Sequence, residues 1–249
     1  MSAYNLGLVS VSFRKHTPEE IVKAVKSAGL TCIEWGSDGH APYNDPEKLH
    51  YIAALQKQYG ITCCSYGTYF RLGEIPREEL PGYIAAAKIL GTDILRLWCG
   101  TKSGSKMTPE EKENLRDQCR KAATIAKEQG VILCMECHRS TLTEDCNDAV
   151  ALMKAVDSPH FRMYWQPFQW QTYEENLKNA EKIAPYAKHI HVFNWTEMEK
   201  FPLSLAVSQW RDYLTRFTGE RALLLEFMPQ GTLEELTAEA DALRQIAEE

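Results

Sequence analysis

The sequence predicts an α/β fold, a (β/α)8 TIM barrel, that forms a single domain over residues 1–249. Eight short segments rich in β-branched and aromatic residues alternate with eight segments of helical periodicity, at about 30 residues per unit. No Gly-rich dinucleotide fingerprint follows the first strand, and no linker or low-complexity stretch marks a second domain. An open, doubly wound sheet is the alternative, but eight regular units favour a closed barrel.

The elements follow from local signals. Thr17 and Thr108 each precede a Pro-Glu-Glu triplet, which places a proline in the first turn and a glutamate at the capping-box position. Gly29 and Gly130 are predicted to end these two helices. The eight predicted strands span residues 5–13, 31–36, 61–70, 93–100, 131–138, 161–167, 188–195 and 221–228.

Composition excludes several classes of function. The net charge of -6 argues against a nucleic-acid partner, since such proteins usually carry a basic face. No apolar run approaches the roughly 18 residues of a membrane span, and the start of the chain does not resemble a signal peptide. The eight cysteines lie mostly in apolar runs and are expected to be reduced thiols. We therefore expect a cytoplasmic protein that acts on a small molecule, with no membrane partner, and leave open a homo-oligomer.

The pentapeptide CMECH, Cys134 to His138, raises the question of a haem site. Side chains alternate across a strand, so Cys134, Glu136 and His138 share one face and Cys137 lies on the other. The two cysteines could not hold one haem while the strand persists, and the haem interpretation is rejected. A buried, ionised Glu136 needs a cation, which could be Arg, Lys or a metal ion.

The same alternation places donors at the ends of three further strands. Near the end of strand six lies Gln166, near the end of strand seven His191, and near the end of strand eight Glu226, as Glu136 lies near the end of strand five. Active sites of such barrels lie at these strand ends. Two carboxylates, an imidazole and an amide oxygen suit Mn2+, Mg2+, Co2+ or Zn2+. The alternative is that each is a polar core group with satisfied hydrogen bonds.

The motifs at the strand ends resemble those of one family. They are CIEWGSD, LRLWCG, LCMECHRSTLTED, YWQP, HIHVFNW and LLLEFM, in this order along nearly the whole chain. The sequence resembles the xylose isomerase-like TIM barrels, or sugar phosphate isomerase/epimerase superfamily. The resemblance implies one divalent ion held by Glu136, Gln166, His191 and Glu226, and Mn2+ is the first choice for this chain.

The resemblance also implies an isomerase or epimerase of a small sugar or keto-sugar. Glu136 and Glu226 would lie on opposite sides of the reacting carbons as catalytic residues. One glutamate would remove a proton beside a carbonyl, and the other would return one to the enediol.

The chain departs from the family pattern in two places. Gln166 stands where the family commonly has an aspartate, which removes one negative charge and predicts weaker binding of the ion or a different preferred ion. Asn194, Glu197 and Lys200 follow the strand-seven histidine, where epimerases of the group tend to have an acidic residue and an arginine. Those substrate contacts therefore do not transfer.

Five further residues are candidates for substrate binding: Glu34, His40, Arg96, Trp98 and His138. Glu34 and Arg96 could instead form an internal ion pair that braces the barrel. His138 could orient a metal ligand, and His40 could be an exposed loop histidine.

Three other functions are weighed against the isomerase. A dehydratase similar to inosose dehydratase would use the same ion and bases to remove water from a polyol ketone. A DNA-repair endonuclease of the superfamily would need more histidine and acidic metal ligands, together with a basic surface that faces DNA. Seven histidines and a net charge of -6 argue against it. A barrel that binds a sugar without catalysis is a further alternative, because Gln166 replaces the common aspartate.

Overall fold

The computed structural model describes residues 4–248. Eight parallel strands pair in chain order, and the last pairs with the first, so the sheet closes into the predicted barrel. The strands are β1 (Tyr4–Val9), β2 (Cys32–Gly36), β3 (Thr62–Leu72), β4 (Ile94–Cys99), β5 (Ile132–Glu136), β6 (Phe161–Trp165), β7 (Ala187–Val192) and β8 (Arg221–Leu225).

A helix follows each strand, which confirms the eight-unit pattern. The helices are α1 (Pro18–Ser27), α2 (Pro46–Tyr59), α3 (Leu80–Leu90), α4 (Pro109–Gln129), α5 (Cys146–Val156), α6 (Tyr173–Ile183), α7 (Val207–Leu214) and α8 (Leu236–Ala247). Thr17 and Thr108 form the two predicted capping boxes, each with the glutamate three residues on. Gly130 ends α4 in the left-handed conformation, which glycine adopts at little cost.

Six of the eight predicted strands are too long at their carboxyl ends, and the first, fifth and seventh are examples. The first ends at Val9, and residues 10–13 form a 3-10 turn. The fifth ends at Glu136, where the hydroxyl of Thr143 donates to the Glu136 carbonyl at 2.5 Å. This bond turns the chain away from the sheet, so His138 lies in a loop. The seventh ends at Val192, which places residues 193–195 in the next loop.

Side-chain alternation separates two apolar layers. Cys134 packs inside the barrel with Ile94 and Leu224. Leu133 and Met135 face outward into the larger core between strands and helices. The inner cluster fills the lower barrel, so inward-facing side chains two positions further along each strand lie near its open end.

Two expectations about the chain concern the membrane and the thiols. No helix within residues 4–248 is both long and apolar enough to cross a membrane. All eight cysteines lie in this range and are free thiols, seven of them buried, as expected.

Candidate active site

The four predicted donors of strands five to eight converge at the open end of the barrel. The Nδ1 atom of His191 lies 2.9 Å from Oε1 of Gln166, 3.5 Å from Oε2 of Glu226 and 3.7 Å from Oε1 of Glu136. All four side chains are buried. Ligands about 2.1 Å from an ion at octahedral corners lie about 3 Å apart, so this spacing fits a single divalent ion. Glu136, His191 and Glu226 could therefore hold a metal ion, since their ligand atoms lie within 4.8 Å of one another.

The Gln166 amide has a fixed orientation. Its Nε2 donates to the carbonyl of Cys137 at 3.0 Å, which turns Oε1 toward His191. The amide oxygen is the atom that a hard divalent cation binds. The loop that follows β5 thus orients the candidate ligand that follows β6.

His191 carries positive charge in the absence of a metal ion. Burial lowers the pKa of His191, but the carboxylates of Glu226 and Glu34 outweigh burial and raise it to about 10. Its Nε2 has no hydrogen-bond partner within residues 4–248 and faces Oε1 of Glu34 at 3.5 Å. A carboxylate behind a metal-binding imidazole is a common supporting arrangement. The carboxylates around His191 thus favour a positive charge at this position, and the protonated imidazole supplies it.

His189, two residues earlier on the same face, has the opposite state. Its Nδ1 accepts a hydrogen bond from the Ala222 amide at 3.0 Å, and its Nε2 lies 3.3 Å from the carbonyl of Cys64. Burial lowers the pKa of His189 to about 4, so this ring is a neutral, satisfied core group. The polar-core alternative therefore describes His189.

The two glutamates differ in their surroundings. Oε2 of Glu136 accepts hydrogen bonds from Arg96 at 2.5 Å and from the Trp98 indole at 2.6 Å. Burial would raise the pKa of Glu136, but Arg96 and His191 hold it well below its usual range. No described residue donates a hydrogen bond to the Glu226 carboxylate, and burial raises the pKa of Glu226 to about 7. Glu136 is thus held ionised, whereas Glu226 titrates near neutrality.

Glu34 and Arg96 lie beneath the candidate ligands and not at the cavity. Nε of Arg96 lies 2.8 Å from Oε1 of Glu34, and the Ser65 hydroxyl donates to Oε2 at 2.5 Å. Burial would raise the pKa of Glu34, but Arg96 and His191 hold it low. Both side chains are at most 3% exposed. Glu34 and Arg96 therefore form the internal ion pair that the sequence analysis gave as the alternative to substrate binding, and Arg96 also binds Glu136.

His40 is also placed differently from the expectation. Its ring is buried in the loop after β2, with Nδ1 at 3.1 Å from the Ser10 hydroxyl and Nε2 at 3.1 Å from the His16 carbonyl. Both ring nitrogens are engaged, and His40 does not line the cavity. It braces the loops after β1 and β2.

Trp98 and His138 remain close to the donors. The Trp98 ring lies 4.6 Å from the His138 ring. The indole N–H of Trp98 donates a hydrogen bond to Glu136. His138 lines the cavity and is half-buried, with Nδ1 at 2.7 Å from the carbonyl of Arg139. His138 is the predicted substrate-binding residue that the structure places at the cavity wall.

A cavity of about 550 Å3 opens above the donors, a size typical of small-molecule sites. Glu136, Gln166 and Glu226 form part of its wall. Its remaining wall includes Glu197, already named in the sequence analysis, and four loop residues that the sequence did not indicate: Arg139, Phe168, Trp170 and Phe227. Each of the four follows β5, β6 or β8 within a few positions, which is the only sequence signal they offer.

Solved structures share this fold at low sequence identity. The probable 3-DHS dehydratase AsbF from Bacillus anthracis aligns with a TM-score of 0.73 and 16% identity, over 96% of this chain and 98% of the other. D-psicose 3-epimerase from Clostridium cellulolyticum H10 gives 0.71 and 13%, over 98% and 97%. A xylose isomerase-like TIM barrel protein from Mycobacterium smegmatis in complex with magnesium gives 0.70 and 14%, over 99% and 97%. A search of curated proteins found no match.

The family model described as xylose isomerase-like TIM barrel matches residues 22–201. That range includes β2 to β7 and three of the four converging donors. The chain belongs to the xylose isomerase-like TIM barrel family.

Proposed function

We propose that the protein is a divalent-metal-dependent isomerase or epimerase of a small sugar or keto-sugar. The observation that carries the proposal is the convergence of four buried donors, two of them glutamates with different pKa values, beneath an open cavity. Family membership supports an enzyme of this type, and a structural neighbour is a D-psicose 3-epimerase.

Glu136, Gln166, His191 and Glu226 would hold the ion, and Mn2+ is our first expectation. The bound ion would act as a Lewis acid that polarises the substrate carbonyl and acidifies the adjacent C–H bond. The ligand atoms contributed by the chain are an oxygen from each glutamate, Oε1 of Gln166 and Nδ1 of His191. His191 would lose its extra proton when it becomes a ligand.

The two glutamates would then divide the proton transfer. Glu226 would be the base, because it lines the cavity and no described residue donates a hydrogen bond to its carboxylate. Glu136, whose Oε2 accepts hydrogen bonds from Arg96 and Trp98, is ionised in the free protein and would first have to take up a proton from water. We assign removal of the carbon-bound proton to Glu226, and delivery of that water-derived proton to the enediol to Glu136.

A dehydratase is the second candidate. It would begin with the same proton removal by Glu226 and continue with loss of a hydroxyl group from the next carbon as water. The fold similarity to the probable dehydratase AsbF favours keeping it, and His138 at the cavity wall could protonate the leaving hydroxyl.

The test uses solvent deuterium. The Mn2+-loaded protein is incubated in D2O with a panel of ketoses, aldoses and polyol ketones, and the products are followed by NMR. We expect deuterium at the carbon next to the carbonyl of at least one compound. Formation of an isomer indicates the first candidate, and an enone or dione with loss of water indicates the second.

Glu226→Gln should lower the exchange rate by about 10^2- to 10^4-fold, the usual contribution of a general base. Glu239→Gln is the matched control, since Glu239 is another buried carboxylate with a raised pKa, and it lies on α8 with its oxygens on the Leu203 amide. Exchange that persists in Glu226→Gln, or falls equally in both variants, would refute the assignment.

A further inference from the structure

We propose that the substrate carries a carboxylate group, and that positively charged side chains around the cavity mouth recognise it. This inference rests on the proposed function, because it names the class of sugar that the site accepts. The residues form what we call the cation collar: Arg14, Arg71, Arg139 and Lys200.

The first argument is the charge of the site itself. Glu136 and Glu226 contribute two negative charges, which one divalent ion balances, and Gln166 adds none. The Glu34–Arg96 pair beneath them is neutral as well. An acidic residue at position 166 would leave the site negative and repel an anion, whereas the present set does not.

The second argument is the position of the collar. Each of its cations lies over an aromatic ring that lines the cavity or binds Glu136. Arg139 lies 4.3 Å from the Trp170 ring and Arg71 lies 4.1 Å from the Trp98 ring.

Lys200 lies 4.9 Å from the Phe227 ring, and Arg14 lies 6.0 Å from the same ring. The rings fix the cations at the mouth through cation–π contact and leave N–H groups for a ligand.

The third argument is the balance of charge at the mouth. Arg14 pairs with Asp38, and Arg139 pairs with Glu197. Arg71 and Lys200 form no ion pair with a carboxylate in residues 4–248. The collar and its partners therefore carry a net charge of about +2 on a protein of net charge -6. Such a mouth concentrates anions above the donors.

Arg139 is the collar residue best placed to bind the carboxylate, because it lines the cavity. Its partner Glu197 is half exposed and belongs to the loop after β7. Exposed ion pairs stabilise a protein little, so a substrate carboxylate can replace Glu197 as the partner of Arg139. A phosphate is less suited, since phosphate sites usually use glycine-rich loops, and none follows β7 or β8.

The first experiment measures the potential at the mouth without any substrate. Trp170 and Trp195 line the cavity, Trp98 lies beside Glu136 and His138, and all three are partly exposed, whereas the other three tryptophans are at most 1% exposed. Fluorescence quenching by ions therefore reports on the mouth. At low ionic strength we expect iodide to quench about threefold or more better than caesium, despite the negative protein.

Arg71→Gln combined with Lys200→Gln should remove most of that difference. Lys23→Gln combined with Lys121→Gln, on α1 and α4, is the matched loss of two cations and should leave the difference unchanged. Equal quenching by the two ions, or stronger quenching by caesium, overturns the collar.

The second experiment measures binding of matched ligands to the Mn2+-loaded protein by calorimetry. D-fructose is compared with two acids that each carry one carboxylate, 2-keto-D-gluconate at C1 and D-fructuronate at C6, and with D-fructose 1-phosphate. We expect an acid to bind at least about tenfold more tightly than D-fructose, and Arg139→Gln to remove this preference. A panel in which no acid binds more tightly than D-fructose, or in which the phosphate binds most tightly, overturns the proposal. Deuterium exchange reports on the proposed function separately.

Discussion

At the scale of single residues, Gln166 sets the charge of the candidate ligand set. Gln166→Glu adds a carboxylate to the ligands, so we expect the affinity for Mn2+ to rise by about tenfold, or about 1.4 kcal/mol. Calorimetric titration of the metal-free protein measures this change. Asn176→Asp is a control, because Asn176 is also a buried amide but binds the Phe168 backbone away from the donors. An unchanged affinity in Gln166→Glu would mean that residue 166 does not contact the ion.

The protonation states of Glu226 and His191 predict how binding of the ion depends on pH. The ion binds a carboxylate and a neutral imidazole, whereas the metal-free site has pKa values of about 7 for Glu226 and about 10 for His191. Affinity should therefore rise from pH 6 to pH 8. Binding should release about two protons at pH 6 and about one at pH 8.

Titrations in buffers with different enthalpies of ionisation count these protons. Glu226→Gln should release at most about one proton at either pH value, since only His191 then loses one and its pKa falls without the Glu226 charge. A proton count that does not change with pH in the unmodified protein would contradict the assigned states.

The sequence predicted the converging donors, but it left two roles open for Glu34 and Arg96 beneath them. Alternation along one strand was enough to turn Glu136 and His191 inward. The pairing of Glu34 with Arg96 depends on strands two and four having matched depth across β3, where Ser65 lies beside Glu34 and Gly67 beside Arg96. The sequence of a single strand does not determine this register, because it depends on how three strands pair.

At the scale of elements, β3 lacks a side chain where the ion pair crosses it. A Cβ atom on Gly67 would lie 2.7 Å from Oε1 of Glu34 and 2.9 Å from a guanidinium nitrogen of Arg96. Gly67→Ala should therefore displace the pair and lower the free energy of unfolding by about 1–3 kcal/mol. It should also weaken binding of Mn2+, because Arg96 fixes Glu136.

Gly39→Ala is the control for that substitution, since a Cβ atom there meets nothing within 4 Å. Its unfolding free energy should change by less than about 0.5 kcal/mol. Denaturant unfolding of both variants makes the comparison. Equal stability of the two would show that β3 can accommodate a methyl group beside the pair.

Helix starts were predicted well because capping is local, as Thr17 and Thr108 illustrate. The carboxyl ends of the strands were predicted less well. Residues 131–138 all suit a strand, but the Thr143 hydroxyl donates a hydrogen bond to the Glu136 carbonyl, and β5 ends there. A contact seven residues along the chain decides this boundary.

At the scale of the whole molecule, closure of the barrel brings the donors together. The sequence predicted closure because eight units repeat regularly, and the register of β5 to β8 then places four strand ends at similar depth. The cavity mouth was not predicted. Arg139, Trp170 and Phe227 lie in loops whose paths depend on contacts between units, including the Phe227 amide bonded to the Ser12 hydroxyl.

The most direct measurement is a crystal structure of the protein grown with Mn2+, with anomalous diffraction recorded at the manganese edge. We expect a single strong peak about 2 Å from Nδ1 of His191, Oε1 of Gln166 and one oxygen each of Glu136 and Glu226. A peak elsewhere, or no peak among these four side chains at saturating Mn2+, would contradict a metal site formed by the four donors.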